Sequence, residues 1–360
     1  MLLKVNNLFI FLFLLNIVIN MSNENINVIK NETIKMYKNK RKDIHISNNK
    51  VNKKKNLILG VIEKYSLNKV LPFFKSLIQS NFQNYDIAIF VRNVGKLLIN
   101  YLKKIGVFVI EIPNKYKNIG IINIRWKMYI TFLEINKNLY NLVFHCDIRD
   151  TFFQKDVFDY FLNHKPYTNY KSFLGVTIED DTLNEKIDKK WIIDYVGEQK
   201  HKMIQNERII CVGSMWGTLN KFLEFCIVFW DKLKESPKSV EQGIANYMLY
   251  YEKFFKEYLI KNDNYGPVMT IGLTKNDKLK FDSHDNLLNF NEEIAAVIHQ
   301  YDRKPQVVSK VINKYCPELL EIKKRIIISF LIIFIFLIVL LFKTKITIKK
   351  NIKFILRKKK

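Results

Sequence analysis

Cysteine is scarce in this 360-residue chain, with four in all: Cys146, Cys211, Cys226 and Cys316. They are too few for a disulfide scaffold and too far apart for a metal knuckle. An oxidising compartment would permit a disulfide, but the sequence assigns no pairing. The helix and finger signatures of nucleic-acid readers are also missing. Acidic residues are outnumbered, 34 against 59 basic ones, for a net charge of +25. The imbalance is concentrated at the ends. Residues 30–55 carry +8, residues 343–360 carry +9 without one acid, and the long stretch 56–342 carries only +8. So modest a central bias is no nucleic-acid footprint, and no nucleic-acid partner is expected. Apolar side chains, by contrast, are plentiful. At 48% hydrophobic and 14% aromatic the composition is that of a packed globular protein, which excludes disorder for most of the chain.

Long apolar runs occur only near the two ends. Leu8 to Ile19, preceded by Lys4 and broken by Asn16, has the length of a signal-peptide core but lacks a small-x-small cleavage pattern. Residues 1–20 are therefore expected to be a signal peptide or an uncleaved signal anchor. Residues 21–55, rich in Asn and Lys, read as a basic flexible stem with an acceptor triplet for glycosylation at Asn31-Glu32-Thr33. Ile326 to Phe342 has Ser329 as its only polar member and would span roughly 26 Å as a helix, close to a thin bilayer core of about 27 Å. It is read as a C-terminal transmembrane helix. The basic tail 343–360 is then cytoplasmic, and the domain 56–320 lies on the lumenal side of a secretory-pathway membrane, Golgi or ER.

Within that domain, short apolar runs alternate with amphipathic stretches, the rhythm of a mostly parallel α/β sheet. The pattern predicts strands over Leu57 to Ile62, Asp86 to Val91, Val107 to Ile112 and Tyr140 to Cys146. Helices are predicted over Leu67 to Ser80, Leu97 to Lys104 and Ile122 to Ile135. The last of these strands runs straight into Asp147-Ile148-Arg149-Asp150. In open α/β sheets ligands bind outside the carboxyl ends of strands. Two carboxylates three residues apart in such a turn can converge on one divalent cation, and oxygen ligands suit Mn²⁺ or Mg²⁺.

The segment from Leu142 through Asp147 and Asp150 to Asp156 and Phe158 resembles the metal-binding signature of GT-A nucleotide-sugar glycosyltransferases, an apolar strand ending in Asp-x-Asp. Asp150 matches the motif's second Asp, six residues before Asp156. Asp147 stands one residue further from it than the motif has, and Val157 replaces the usual Pro. Three later segments resemble the same superfamily. Ile209 to Thr218 is similar to its acceptor-side strand and small-residue turn, with Gly213, Ser214 and Trp216. Glu241-Gln242 followed by Asn246 is similar to an Asp-Gln-x-x-x-Asn helix opening, with Glu in place of Asp. Val297 to Pro305 is similar to the late His segment of glycogenin-like enzymes, without its Gly.

The resemblance implies a Rossmann-like GT-A fold and transfer of a sugar from a nucleotide-diphosphate donor, UDP by resemblance, to a hydroxyl of a glycan, lipid or protein. Asp147, Asp150 and His299 are the implied metal ligands. Arg125, Lys127, Asp147, Gly213, Ser214, Arg303 and Lys304 are the candidates for the nucleotide-sugar, and Glu241 and Gln242 for catalysis. A general base at Glu241 would invert the anomeric centre; support of a front-side attack by Gln242 would retain it. The competing expectation is a membrane-anchored carbohydrate- or protein-binding protein that keeps the fold without turnover.

Overall fold

Six-residue apolar segments such as Leu57-Ile58-Leu59-Gly60-Val61-Ile62 bury on both faces, which only a sheet covered by helices on each side allows. The computed structural model describes residues 54–236 and 240–358. Residues 1–20, the stem up to residue 53 and the Asn31 acceptor lie outside the described residues. The chain divides into two units, a domain ending at Cys316 and a helix, Pro317–Lys358.

The domain opens with three β-α units: β1 (Lys55–Glu63), α1 (Leu67–Gln79), β2 (Tyr85–Arg92), α2 (Lys96–Lys104), β3 (Phe108–Glu111) and α3 (Ile121–Ile135). β4 (Tyr140–Cys146) follows, then β5 (Thr151–Phe153), α4 (Val157–Asn163) and β6 (Leu174–Thr182). Next come α5 (Lys186–Val196), α6 (Glu198–Ile204), β7 (Arg208–Thr218), α7 (Leu219–Glu235) and α8 (Glu241–Asn246). β8 (Leu259–Asn262), β9 (Val268–Thr270), a two-stranded ribbon, β10 (Lys280–Phe281) with β11 (Leu287–Leu288), β12 (Val297–His299) and α9 (Pro305–Tyr315) complete it.

The central sheet has the order β3-β2-β1-β4-β7-β6-β8. Four of its six neighbour pairs are parallel; β7 is antiparallel to both β4 and β6, so the sheet is mixed. The chain winds outward from β1 to β3 and then jumps back across β1 to β4. The crevice beyond the carboxyl ends of β1 and β4 is therefore a topological switch point, where an open α/β sheet places its ligand. Trp126 and Tyr129 of α3 pack with Phe225 and Phe229 of α7 over one face of the sheet, the aromatic centre of the core. On the other face Trp216 stacks on Phe161 at 5.0 Å and is fully buried, so it is a core side chain and offers no platform to a sugar.

Two expectations change. The small-residue segment around Gly213 is no turn: it lies within β7, whose pairing with β6 shifts register between Cys211 and Met215. Also, among the described residues no helix is long and apolar enough to cross a membrane, which overturns the C-terminal span expected over 326–342. The apolar run between Arg325 and Lys343 is 17 residues. At about 1.5 Å per residue it falls short of the roughly 30 Å of a typical hydrocarbon core. The helix Pro317–Lys358 continues through basic sequence beyond it, so lengthening the run brings in charge. The lumenal placement then rests on the N-terminal run alone, which lies outside the described residues.

Candidate active site

Three strands bring the acidic and imidazole groups together. β4 ends at Cys146, where it pairs with Ser214 of β7, and the Asp147 amide donates to the Gly213 carbonyl at 2.8 Å. β12 pairs antiparallel with β5, which sets His299 opposite Thr151, the residue after Asp150. Asp147, Asp150 and His299 thus offer three ligand atoms within 4.8 Å of one another. His299 Nε2 lies 3.7 Å from Asp147 Oδ2 and 3.7 Å from Asp150 Oδ1. That is too long for hydrogen bonds and suited to atoms sharing one cation.

The residues fit such an ion. Asp150 Oδ1 and His299 Nε2 are buried and have no hydrogen-bond partner, an arrangement that costs stability unless something binds there. A Cβ on Gly213 would lie 2.7 Å from both Asp147 Oδ2 and His299 Nε2, so glycine keeps the space between the ligands open. His299 Nδ1 sits 3.5 Å from Cys211 Sγ, which leaves Nε2 to the carboxylates. Two hard oxygens and one imidazole suit a divalent ion such as Mn²⁺.

The electrostatics are built around one buried cation. Arg125 of α3, fully buried, gives Nη1 to Asp147 Oδ1 at 2.6 Å and clasps Glu241 with Nε and Nη2. Trp126 Nε1 donates to Glu241 Oε2 at 2.7 Å. Burial would raise the Asp147 carboxyl, but the Arg125 guanidinium and His299 hold it well below the usual carboxylate range. Asp150 is raised, by burial first. His299 is raised although burial opposes it, because Asp147 and Asp150 favour its charged form. Burial pushes Glu241 up to about 7 against the pull of Arg125.

Both oxygens of Glu241 are therefore taken, by Arg125 and Trp126. Gln242, the next residue, gives Nε2 to Asp188 Oδ1 at 2.8 Å. Arg303 packs along Gly272 beside Gln300, whereas Lys304 donates to the Thr274 carbonyl. Ser214 points away from the cluster, one residue on from Gly213 along the strand, and shares a 2.8 Å hydrogen bond with Thr177. Lys127 takes no part in the cluster's hydrogen bonds or ion pairs.

Several residues at the site, Arg149 apart, escaped the sequence reading. Tyr65, half-buried just past β1, lies in the field of Arg149, Asp147 and Asp150. Arg149 bridges Asp150 Oδ2 at 3.1 Å and Asp302 Oδ2 at 3.2 Å. Tyr65 carried a usable signal, because it follows β1 as Asp147 follows β4, at the two strand ends that frame the switch point. Cys211, Trp126 and Asp188 carried none, since each acts through a neighbour remote in sequence.

No protein-family model matches the chain, and no curated protein matches its sequence. Its structure is similar to those of several solved glycosyltransferases. The galactosyltransferase LgtC, solved in complex with donor and acceptor sugar analogs, has 13% identity and a TM-score of 0.43, over 71% of this chain and 95% of that one. The glycosyltransferase GlyE of Streptococcus pneumoniae TIGR4 has 13% identity and a TM-score of 0.43, over 76% and 64%. Core-mannan synthase A of Aspergillus fumigatus, solved in an Mn/GDP form, has 11% identity and a TM-score of 0.36, over 58% and 73%.

Proposed function

We propose that this protein is a metal-dependent glycosyltransferase that takes a sugar from a nucleoside-diphosphate donor, UDP by the motif resemblance, and passes it to an acceptor hydroxyl. The observation that carries this is the convergence of Asp147, Asp150 and His299 around unpartnered buried atoms, at the switch point of the sheet. A divalent ion held there supplies Lewis-acid stabilisation of the charge that develops on the departing diphosphate.

The chain's own groups do the rest. Arg125 fixes the Asp147 carboxylate by a buried ion pair, and Glu241 with Trp126 fixes Arg125. With both oxygens engaged, Glu241 acts here as a positioning residue. Gln242 is the group we assign to the sugar: its amide nitrogen is committed to Asp188, and its carbonyl oxygen makes no hydrogen bond among the described residues. A neutral carbonyl oxygen can support the positive anomeric carbon of an oxocarbenium-like transition state, which favours retention over a base-driven inversion. Tyr65 and Arg149, at the mouth beside the acidic pair, are placed to meet the nucleotide.

The test is release of UDP from a panel of UDP-sugars by the full chain. The reading predicts turnover that is abolished by EDTA and restored by Mn²⁺. Metal-independent turnover, or none from a protein that fails to bind UDP, would contradict it.

A further inference from the structure

The amide of Gln242 has two chemically different ends, and only its carbonyl oxygen can help a positive centre. Asp188 is 4% exposed and sits in the first turn of α5. The Asp188 Oδ1 to Gln242 Nε2 distance is 2.8 Å. An ionised carboxylate only accepts hydrogen bonds, so it selects the NH₂ end of the amide and turns the carbonyl oxygen away from itself.

The bond is held between rigid elements. A Cβ on Gly243 would lie 2.9 Å from the Trp191 carbonyl carbon and oxygen, so α5 and α8 touch at the backbone. Asn246, one turn further along α8, grips the β7 backbone in both directions: its Oδ1 accepts from Ile210 N at 2.8 Å and its Nδ2 donates to Ile210 O at 2.9 Å. The same Nδ2 donates to the main-chain carbonyl of Gln242 at 2.9 Å, which leaves the side-chain amide oxygen free of it. Helix α8 is thus pinned on one side by a sheet strand and on the other by the helix that carries Asp188.

We infer that Asp188 is a positioning residue: its carboxylate sets the orientation of the Gln242 amide and so presents the carbonyl oxygen to the transferred sugar. The inference deepens the glycosyltransferase reading and rests on it. The charged groups that bear on Asp188 are Glu179 of β6, Glu185 before α5, and Arg303 beyond β12. Burial first, then Glu179 and Glu185, push its carboxyl up to about 7, against Gln242 and Arg303. Once protonated, Asp188 can donate to the amide oxygen, and the amide then turns round.

The test uses the full chain, labelled with ¹⁵N-glutamine, and identifies the Gln242 side-chain amide by its loss in Gln242→Ala. That resonance should move between pH 6 and pH 8 in the wild type and lose this titration in Asp188→Asn. In UDP release, Asp188→Asn should lower kcat on the order of tenfold to a hundredfold, the scale of a misplaced reacting group. UDP affinity with Mn²⁺ should stay within about twofold. Asp188→Glu, which still only accepts, should recover most of the loss. On a Gln242→Ala background Asp188→Asn should cost nothing further.

An amide resonance unmoved by pH and by Asp188→Asn, or a penalty that persists without Gln242, would overturn the inference. Loss of UDP binding in Asp188→Asn alone, with Asp188→Glu no better, would make the residue structural and overturn it too. Failure of the wild type to bind UDP with Mn²⁺ would instead remove the glycosyltransferase reading on which it stands.

Discussion

Asp150 Oδ1 and His299 Nε2 face each other 3.7 Å apart, both buried and neither hydrogen-bonded. A folded chain keeps such a pair at a cost of about 1–3 kcal/mol for each unsatisfied group. Relieving it should show as stability exchanged for function. Asp150→Asn should leave the metal-free melting temperature equal to the wild type's or higher, and should remove the rise in melting temperature that Mn²⁺ produces. Thermal unfolding with EDTA and with Mn²⁺ checks both halves.

Gly213 gives a second test of the same geometry. A Cβ there meets Asp147 Oδ2 and His299 Nε2 at 2.7 Å, and the added methyl group takes the space between the ligands. Gly213→Ala should therefore keep the far-UV circular dichroism of the wild type and lose Mn²⁺-dependent UDP binding. Unchanged binding would show that the cleft is not centred where these three residues meet.

Arg125 should matter more to stability than any exposed ion pair of the domain. It is fully buried and joins Asp147 to Glu241. Its removal strands a buried carboxylate, which costs about 3–5 kcal/mol. Arg125→Met is expected to lower the urea midpoint accordingly. Arg125→Lys should rescue little, because one ammonium cannot reproduce the two-pronged clasp on Glu241. Removing Lys190 from its exposed pair with Asp194 should change almost nothing.

The buried acids also set a pH dependence of folding. Burial raises Asp156 to about 6 and Asp188 to about 7. An unfolded Asp titrates near 4, so between about pH 4 and pH 7 the folded state holds more protons than the unfolded one. This contribution is fully present below about pH 4 and is lost as pH rises through 6 to 7. Metal-free protein should therefore grow less stable from pH 5 to pH 8. Asp156→Asn, which can still cap α4 through the amides of Phe158 and Asp159, should flatten that slope in urea titrations at several pH values.

The first half of the domain was readable because its signals are local. Leu67, Val70, Leu71, Phe74 and Leu77 repeat at helical spacing and are all buried in α1. Tyr140–Cys146 runs as the strand its apolar run predicts, and it delivers Asp147 to the cleft. The second half depends on contacts that spacing does not encode. Nothing in Arg208–Thr218 says that it inserts antiparallel beside β4, yet this insertion brings Gly213 to Asp147. Likewise, two carboxylates in sequence were legible as a candidate site, whereas the part Glu241 plays became clear only with Arg125 and Trp126, more than a hundred residues away, closed on it. Ser214 illustrates the converse, because a strand alternates its faces and turns the neighbour of a site residue into a core residue. The C-terminal run misled by hydropathy alone: it is apolar, but it is not long enough for the span assigned to it.

The most direct measurement is calorimetric titration of UDP into the full chain, with and without Mn²⁺, beside Asp150→Asn. The account predicts binding that requires the metal in the wild type and is lost in the variant. Binding that is indifferent to Mn²⁺ and to Asp150, or no binding by a folded wild-type protein, would contradict it.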